Sequence, residues 1–215
     1  MNMQTAKEVI DKAVNDAHRV VQINIAFYGL KEGKIKSITV TSANTREGKT
    51  TVSINLAMSM AEAGMKVLYI DADLRKSSTP KNLGRGIKYG LSNLLSEYVP
   101  LRQALIPTQT KNLFCIASGS KPPNPSELIN SSVFERLLNI VSTGFDIVII
   151  DTPSLGEVID AALIAGRTDV TIVVVGSKGT GVRNVKRIMK KLEKSNARLL
   201  GMIMNKVDRC EYENN

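Results

Sequence analysis

Lys49 and Thr50 lie near the end of the stretch TSANTREGKTT, Thr41 to Thr51, and their types and spacing suit the holding of a phosphate chain. A lysine ammonium reaches outer phosphate oxygens, a threonine hydroxyl beside it can ligate Mg²⁺, and a glycine before them lets the backbone approach closely. The segment from Ala43 to Thr50 falls one residue short of the pattern G-x-x-x-x-G-K-[ST], because Ala43 stands at the first glycine. Arg46 sits mid-loop, where a small residue is expected. The candidate phosphate-binding set is Asn44, Thr45, Arg46, Glu47, Gly48, Lys49, Thr50 and Thr51. The backbone N–H groups from Arg46 onward, and the positive end of the following helix, would face the oxygens. The competing reading is an ordinary strand–turn–helix with a capping threonine.

Two acidic segments bear on that choice. VLYIDADLRKS ends an apolar run with Asp71 and Asp73, which face the same side if the chain is extended there. FDIVIIDTPS ends another with Asp151. Acids at the ends of buried strands are costly unless something positive meets them. Mg²⁺ meets that need, since it keeps several waters that nearby carboxylates can hold. Three such acids together with GKTT point to a magnesium nucleotide.

Elements that could position these residues follow from the hydrophobic pattern. Strands are expected near Ser37–Thr41, Lys66–Ile70, Asn112–Ala117, Phe145–Ile150, Val170–Val175 and Leu199–Met204. Helices are expected near Ala6–Ile25, Thr50–Ala63, Ser132–Val141, Ala161–Ala165 and Val182–Ser195. Runs such as VTIVVVG, with no polar alternation, suit a sheet covered on both faces. The alternation implies a doubly wound, mostly parallel sheet in a three-layer α/β/α arrangement, with ligands outside the carboxyl ends of the strands. The loop GSKPPNPSEL reads as a rigid proline-rich connection.

Composition sets the outer limits. The 215 residues, 43% hydrophobic and 23% charged, fit one soluble globular domain over 1–215, with an N-terminal helix near 6–25 and a tail at 209–215. No apolar run approaches the ~18 residues of a membrane span, and MNMQTAKEVIDKAV lacks the apolar core of a secretory signal. Cys115 and Cys210 lie far apart without close Cys or His partners, which disfavours metal and disulfide frameworks and suits a reducing cytosol. The net charge of +9 is concentrated between Lys178 and Arg209, where ten Lys or Arg face only Glu193 and Asp208. On the helix there, Lys186, Lys190 and Lys194 form one row and Arg183, Arg187 and Lys191 the next, while Val182, Val185, Met189 and Leu192 are expected to face inward. That surface is either a solvated helix face or one lying near anionic lipid or an acidic partner. With 4% aromatic residues, nucleic acid is not expected.

From about Asp16 to Asp208 the chain resembles the bacterial tyrosine kinases of capsule and exopolysaccharide synthesis, cytoplasmic subunit. The resemblance rests chiefly on LYIDADLR, an apolar run followed by D-x-D-x-R with Asp71, Asp73 and Arg75. VIIDTPS (with Ser154 where proline is more usual), PPNPSELI and GMIMNKVD support it. It implies ATP as phosphoryl donor, a tyrosine hydroxyl as acceptor, Lys49 on the phosphates, and Mg²⁺ on Thr50 with waters held by Asp73 and Asp151. Asp71 becomes the candidate base, and Asn205 and Asp208 stand where relatives of this superclass often recognise the nucleotide base. It also implies a homo-oligomer and a transmembrane adaptor whose cytosolic tail activates the kinase and brings it to the inner face of the membrane.

Several residues depart from the family pattern. Thr45 and Arg46 replace a Pro-Gly pair, so Arg46 is expected either to reach a phosphate or to hinder loop closure. At DAHRVVQ the oligomerisation motif E-x-x-R-x-x-R is met by Asp16 and Arg19, with Gln22 at the second Arg. The tail RCEYENN offers one tyrosine, Tyr212, as autophosphorylation site; Tyr89 and Tyr98 remain alternatives, while Tyr28 and Tyr69 adjoin expected core elements. The same scaffold serves septum-positioning and partitioning ATPases, but these carry a second lysine at the place of Asn44. A nucleotide-binding regulatory subunit with little transferase activity is the third reading.

Overall fold

Strands without polar alternation fold here into a sheet buried on both sides: β1 (Ser37–Ser42), β2 (Val67–Asp71), β5 (Ile147–Asp151) and β6 (Val170–Gly176) are buried at every residue. With β3 (Ile106–Pro107), β4 (Leu113–Ile116) and β7 (Leu199–Asn205) they form one sheet in the order β3-β4-β2-β5-β1-β6-β7. The structure is a computed structural model and describes residues 20–22, 24, 25, 35–76, 88–177 and 180–207. Within it every neighbouring pair of strands is parallel except β3 on β4.

Helices cover both faces. On one, α1 (Lys49–Glu62) seats Leu56, Ala57 and Met60 against Ile38, Val40, Val67 and Ile149, joined by Ile25 from the helical residues near 20–25. On the other, α5 (Ser132–Gly144) places Phe134, Leu137 and Val141 on Leu68, Ile70, Val148 and Ile150. Alternate residues of each strand thus feed opposite layers, as the pleat requires. A third cluster joins α6 (Asp160–Ala165) and α7 (Val182–Lys194) to Val173 and Val175.

The expected doubly wound α/β fold is present; β5 is the middle strand of the seven, and β1 lies next to it, between β5 and β6. Chains leaving β1 and β5 therefore separate at their carboxyl ends, where ligands bind in such sheets. The register places Asp151 beside both Val40 and Asp71.

Several expected boundaries shift. Asp71 and Asp151 are the last residues of their strands rather than the first residues beyond them. The proline-rich loop contains a helical turn, α4 (Pro125–Ile129), started by Pro125 at a position where a missing N–H costs nothing. Two short helices, α2 (Leu91–Leu95) and α3 (Leu101–Ala104), occupy a stretch without an expected element. On α7, Leu192 is buried as expected and Val185 is half-buried against the same cluster, but Val182 is 72% exposed and Ile188, rather than Met189, makes the other buried contact. The first turn of α7 precedes the part seated on Val173 and Val175, so its apolar residue meets no core. Asp16, Arg19, Tyr28, Asp208, Cys210 and Tyr212 lie outside the described residues.

Candidate active site

Between β1 and α1, residues Ala43 to Gly48 make a tight loop whose shape depends on two left-handed positions, Arg46 at φ 62° and Gly48 at φ 92°. Ala43 keeps a negative φ and is buried with Leu155, Ala161 and Ala162, so the position of the missing glycine needs no glycine. The methyl adds to the core. Arg46 therefore compensates for nothing at Ala43; its own backbone is the unusual one, held where a side chain costs roughly 1 kcal/mol.

Glu47 fixes the loop from within. Its buried carboxylate accepts hydrogen bonds from the Asn44 backbone N–H at 2.8 Å and side-chain amide at 3.0 Å, and from the Thr180 hydroxyl. From β7 the Asn205 side-chain amide donates to the Glu47 carbonyl at 2.9 Å, and Lys206 Nζ donates to the Arg46 carbonyl at 2.6 Å. A Cβ on Gly48 would overlap that Asn205 amide, so close approach as well as φ demands glycine. Asn205 thus braces the phosphate loop in this structure.

The acids meet the loop at its floor. Thr50 Oγ1 donates to Asp151 Oδ2 at 2.6 Å, and the phenol of Tyr69 donates to the same oxygen at 3.2 Å. Asp71 and Asp151 are both fully buried and lie in register on adjacent strands. Burial pushes the Asp151 carboxyl up to about 7; Lys49 and the Thr50 hydroxyl pull it down, while Asp71 adds to the rise. Burial, with Asp151 and Asp71 close by, pushes the Tyr69 phenol well above its ordinary range, so it stays protonated and donates.

Asp73 behaves differently from the extended-chain expectation. The strand ends at Asp71, the chain turns, and the Asp73 N–H bonds back to Asp71 Oδ1 at 3.1 Å. Asp73 Oδ1 then accepts the N–H groups of Arg75 at 3.2 Å and Lys76 at 2.9 Å. A carboxylate so placed closes its own turn. Arg75 Nε donates to the buried Asp160 at 2.8 Å and its Nη2 to Ser126 at 2.9 Å, tying this turn to α4 and α6. Ser154, at the position where proline is more usual, donates to Glu157 at 3.2 Å.

The structure therefore brings Lys49, Thr50, Asp71 and Asp151 together, with Asp73 buried in the turn that follows β2 and Asn205 bracing the loop from β7. Sequence reasoning missed Tyr69, Thr180, Ser126 and Asp160. Tyr69 carried a usable signal, since it precedes Asp71 by two residues and shares its face of β2. Ser126 lies within PPNPSELI, but nothing in that motif pairs it with Arg75 or Asp160; Thr180 and Asp160 lie outside the motifs. The donors around Lys49 are oxygens, from a hydroxyl and from carboxylates, and suit Mg²⁺ carried on phosphate. Two buried acids side by side give such a cation something to neutralise.

A family model described as an AAA domain matches residues 35–204. The chain is 38% identical over 206 residues to tyrosine-protein kinase CpsD of Streptococcus pneumoniae serotype 4, covering 95% of this chain and 89% of that one. Among solved structures it is similar to the chimerical protein CapA2B2, with TM-score 0.84, 34% identity, and 89% and 84% of the two chains covered. The kinase domain of the Escherichia coli tyrosine kinase ETK superposes with TM-score 0.86 at 30% identity, covering 91% and 76% of the two chains.

Proposed function

The chain belongs to the family of bacterial tyrosine-protein kinases, and on that premise we propose that its phosphate loop delivers the γ-phosphate of ATP to a tyrosine hydroxyl in the control of capsule or exopolysaccharide synthesis. The observation that carries the reading is the meeting of Thr50 and Asp151 at 2.6 Å on the floor of the loop, with Asp71 in register beside them. An ATPase that positions cellular cargo needs the loop but no acceptor site, and CpsD and ETK are named as tyrosine kinases.

The loop amides from Arg46 to Thr50 and the start of α1 form an anion-binding surface for the phosphates. Lys49 places its charge on the outer phosphates. Thr50, Asp73 and Asp151 are the residues that would hold Mg²⁺, and the metal would supply neutralisation of charge on the transferring group. Asp71 orients the acceptor hydroxyl. As the tyrosine oxygen bonds to the γ-phosphorus and the bond to the ADP oxygen breaks, the phenol acidifies and its proton passes to Asp71. Before that point a carboxylate is too weak a base to deprotonate a phenol. Asn205 acts by bracing the phosphate loop through the Glu47 carbonyl, and Asp208, which lies outside the described residues, is the residue proposed to recognise the base.

Two expected results follow for residues that depart from the family pattern. Arg46→Gly relieves the left-handed strain, raising stability by up to about 1 kcal/mol, yet weakens ATP binding by removing a cation from the loop. Equal or tighter binding by calorimetry would place the Arg46 side chain outside phosphate recognition. Tyr212 is the proposed autophosphorylation site, so labelling saturates near one phosphate per chain and Tyr212→Phe removes most of it. Phosphate mapped by mass spectrometry to Tyr89 or Tyr98 instead would reject that assignment.

Among the described residues no helix is long and apolar enough to cross a membrane. We place the kinase at the inner membrane face through a transmembrane adaptor, as a homo-oligomer. Addition of the adaptor's cytosolic tail should raise both ATP turnover and phosphotyrosine formation, and a tail without effect on either would remove the adaptor from the scheme.

A further inference from the structure

Asp151 Oδ2 receives two hydroxyl donors of different origin. Thr50 comes from the phosphate loop and the first turn of α1. Tyr69 comes from the middle of β2, in a strand buried at every residue and paired on both sides. Its ring packs in the core with Val40, Leu56 and Ile149, and its hydroxyl is the one polar atom that this side chain brings to the site. A phenylalanine would fill nearly the same volume, so the hydroxyl is not a requirement of packing.

We propose that Tyr69 is a positioning residue for phosphoryl transfer: its buried hydroxyl fixes the orientation of the Asp151 carboxylate toward magnesium-bound water. The inference rests on the assignment of Asp151 to the metal in the proposed function. A carboxylate on a strand end can rotate about its side-chain torsions. With Thr50 alone, its direction follows the loop; with Tyr69 it is also referred to the sheet. Thr50 then offers a lone pair to the metal without losing control of Asp151. The effect is expected on magnesium rather than on the nucleotide, because the hydroxyl donates to Asp151; its other side-chain partner is Ser53 of α1.

Tyr69→Phe is tested with fluorescent ADP as the probe, titrated without magnesium and across a magnesium series, alongside a thermal melt. The wild type binds ADP more tightly with magnesium. In the variant, ADP binding without magnesium is unchanged and the melt moves little, but the magnesium concentration for half of the tightening rises about ten-fold, the scale of one hydrogen bond to a charged group. At saturating magnesium the variant's kcat falls while its KM for ATP is unchanged. A magnesium series superimposable on the wild type overturns the proposal. So does a variant that melts well below the wild type and loses ADP binding with and without the metal, which would make the hydroxyl structural. If the wild type itself shows no magnesium-dependent tightening, the assignment of Asp151 to the metal fails, and Tyr69 falls with it.

Discussion

Lys49→Met lowers phosphotyrosine formation by roughly 10³-fold, the scale of losing one charged group aimed at developing negative charge. Lys49 opens α1 at the mouth of the loop, and its charge already acts on Asp151 within the site. Methionine keeps the length and helix preference of the side chain but removes the ammonium. The fold should therefore persist: α1 is held by Leu56, Ala57 and Met60 in the core, none of which touches this change. Initial rates with labelled ATP, together with an unchanged thermal melt, are the check. Wild-type rates in the variant would show that Thr41 to Thr51 is not the phosphate loop of the reaction.

Asp151→Asn has two opposite effects. Transfer falls by at least roughly 10²-fold, because an amide cannot offset cationic charge as a carboxylate does. Stability of the metal-free protein rises instead. In the folded chain the Asp151 carboxyl is pushed up to about 7, against 3.8 for the ordinary group. Below pH ~4 the acid is protonated in both folded and unfolded chains and carries no penalty. As pH rises from there to about 7, the unfolded chain releases the proton first, and the wild type loses stability across that window. The asparagine variant has no such loss. Above pH 7 it should exceed the wild type by on the order of 2–4 kcal/mol, the attraction to Lys49 being already part of the net rise, and near pH 4 the two should match. Urea melts at both pH values without metal or nucleotide give the comparison. A variant less stable than the wild type at pH 8 would mean that Asp151 is well solvated or well paired in the folded chain.

Much of the site could be read from the sequence because its parts lie at the ends of long apolar runs. IVIID and VLYID are too apolar to be exposed, so their terminal acids had to sit at strand ends, and a parallel sheet gathers such ends on one side. The side-by-side register of Asp71 and Asp151 was not legible, since strand order is settled by helix packing and crossovers distant in sequence. The elements missed are those of lowest periodicity: α2 and α3 have five and four residues, and β3 has two. Such short pieces are stabilised by their neighbours rather than by their own pattern. Val182 misled because helical spacing says which residues share a face but not how far the sheet extends beneath it.

Ala43 and Arg46 show the same limit at the scale of single residues. The motif treats both as departures, yet only Arg46 occupies a conformation that favours glycine. Ala43 instead adds a methyl to the core beside Leu155. Tyr69 belonged by pattern to the core, and it is there; that its hydroxyl also reaches Asp151 depends on the neighbouring strand.

The central claim is that this loop and these acids pass the γ-phosphate of ATP to tyrosine. It is tested most directly by following γ-labelled ATP in one reaction of the full chain with its adaptor tail, counting label in phosphotyrosine and in free phosphate. Label should appear in phosphotyrosine, depend on magnesium, and disappear with Lys49→Met. Label released only as free phosphate, with no phosphotyrosine formed, would contradict the account.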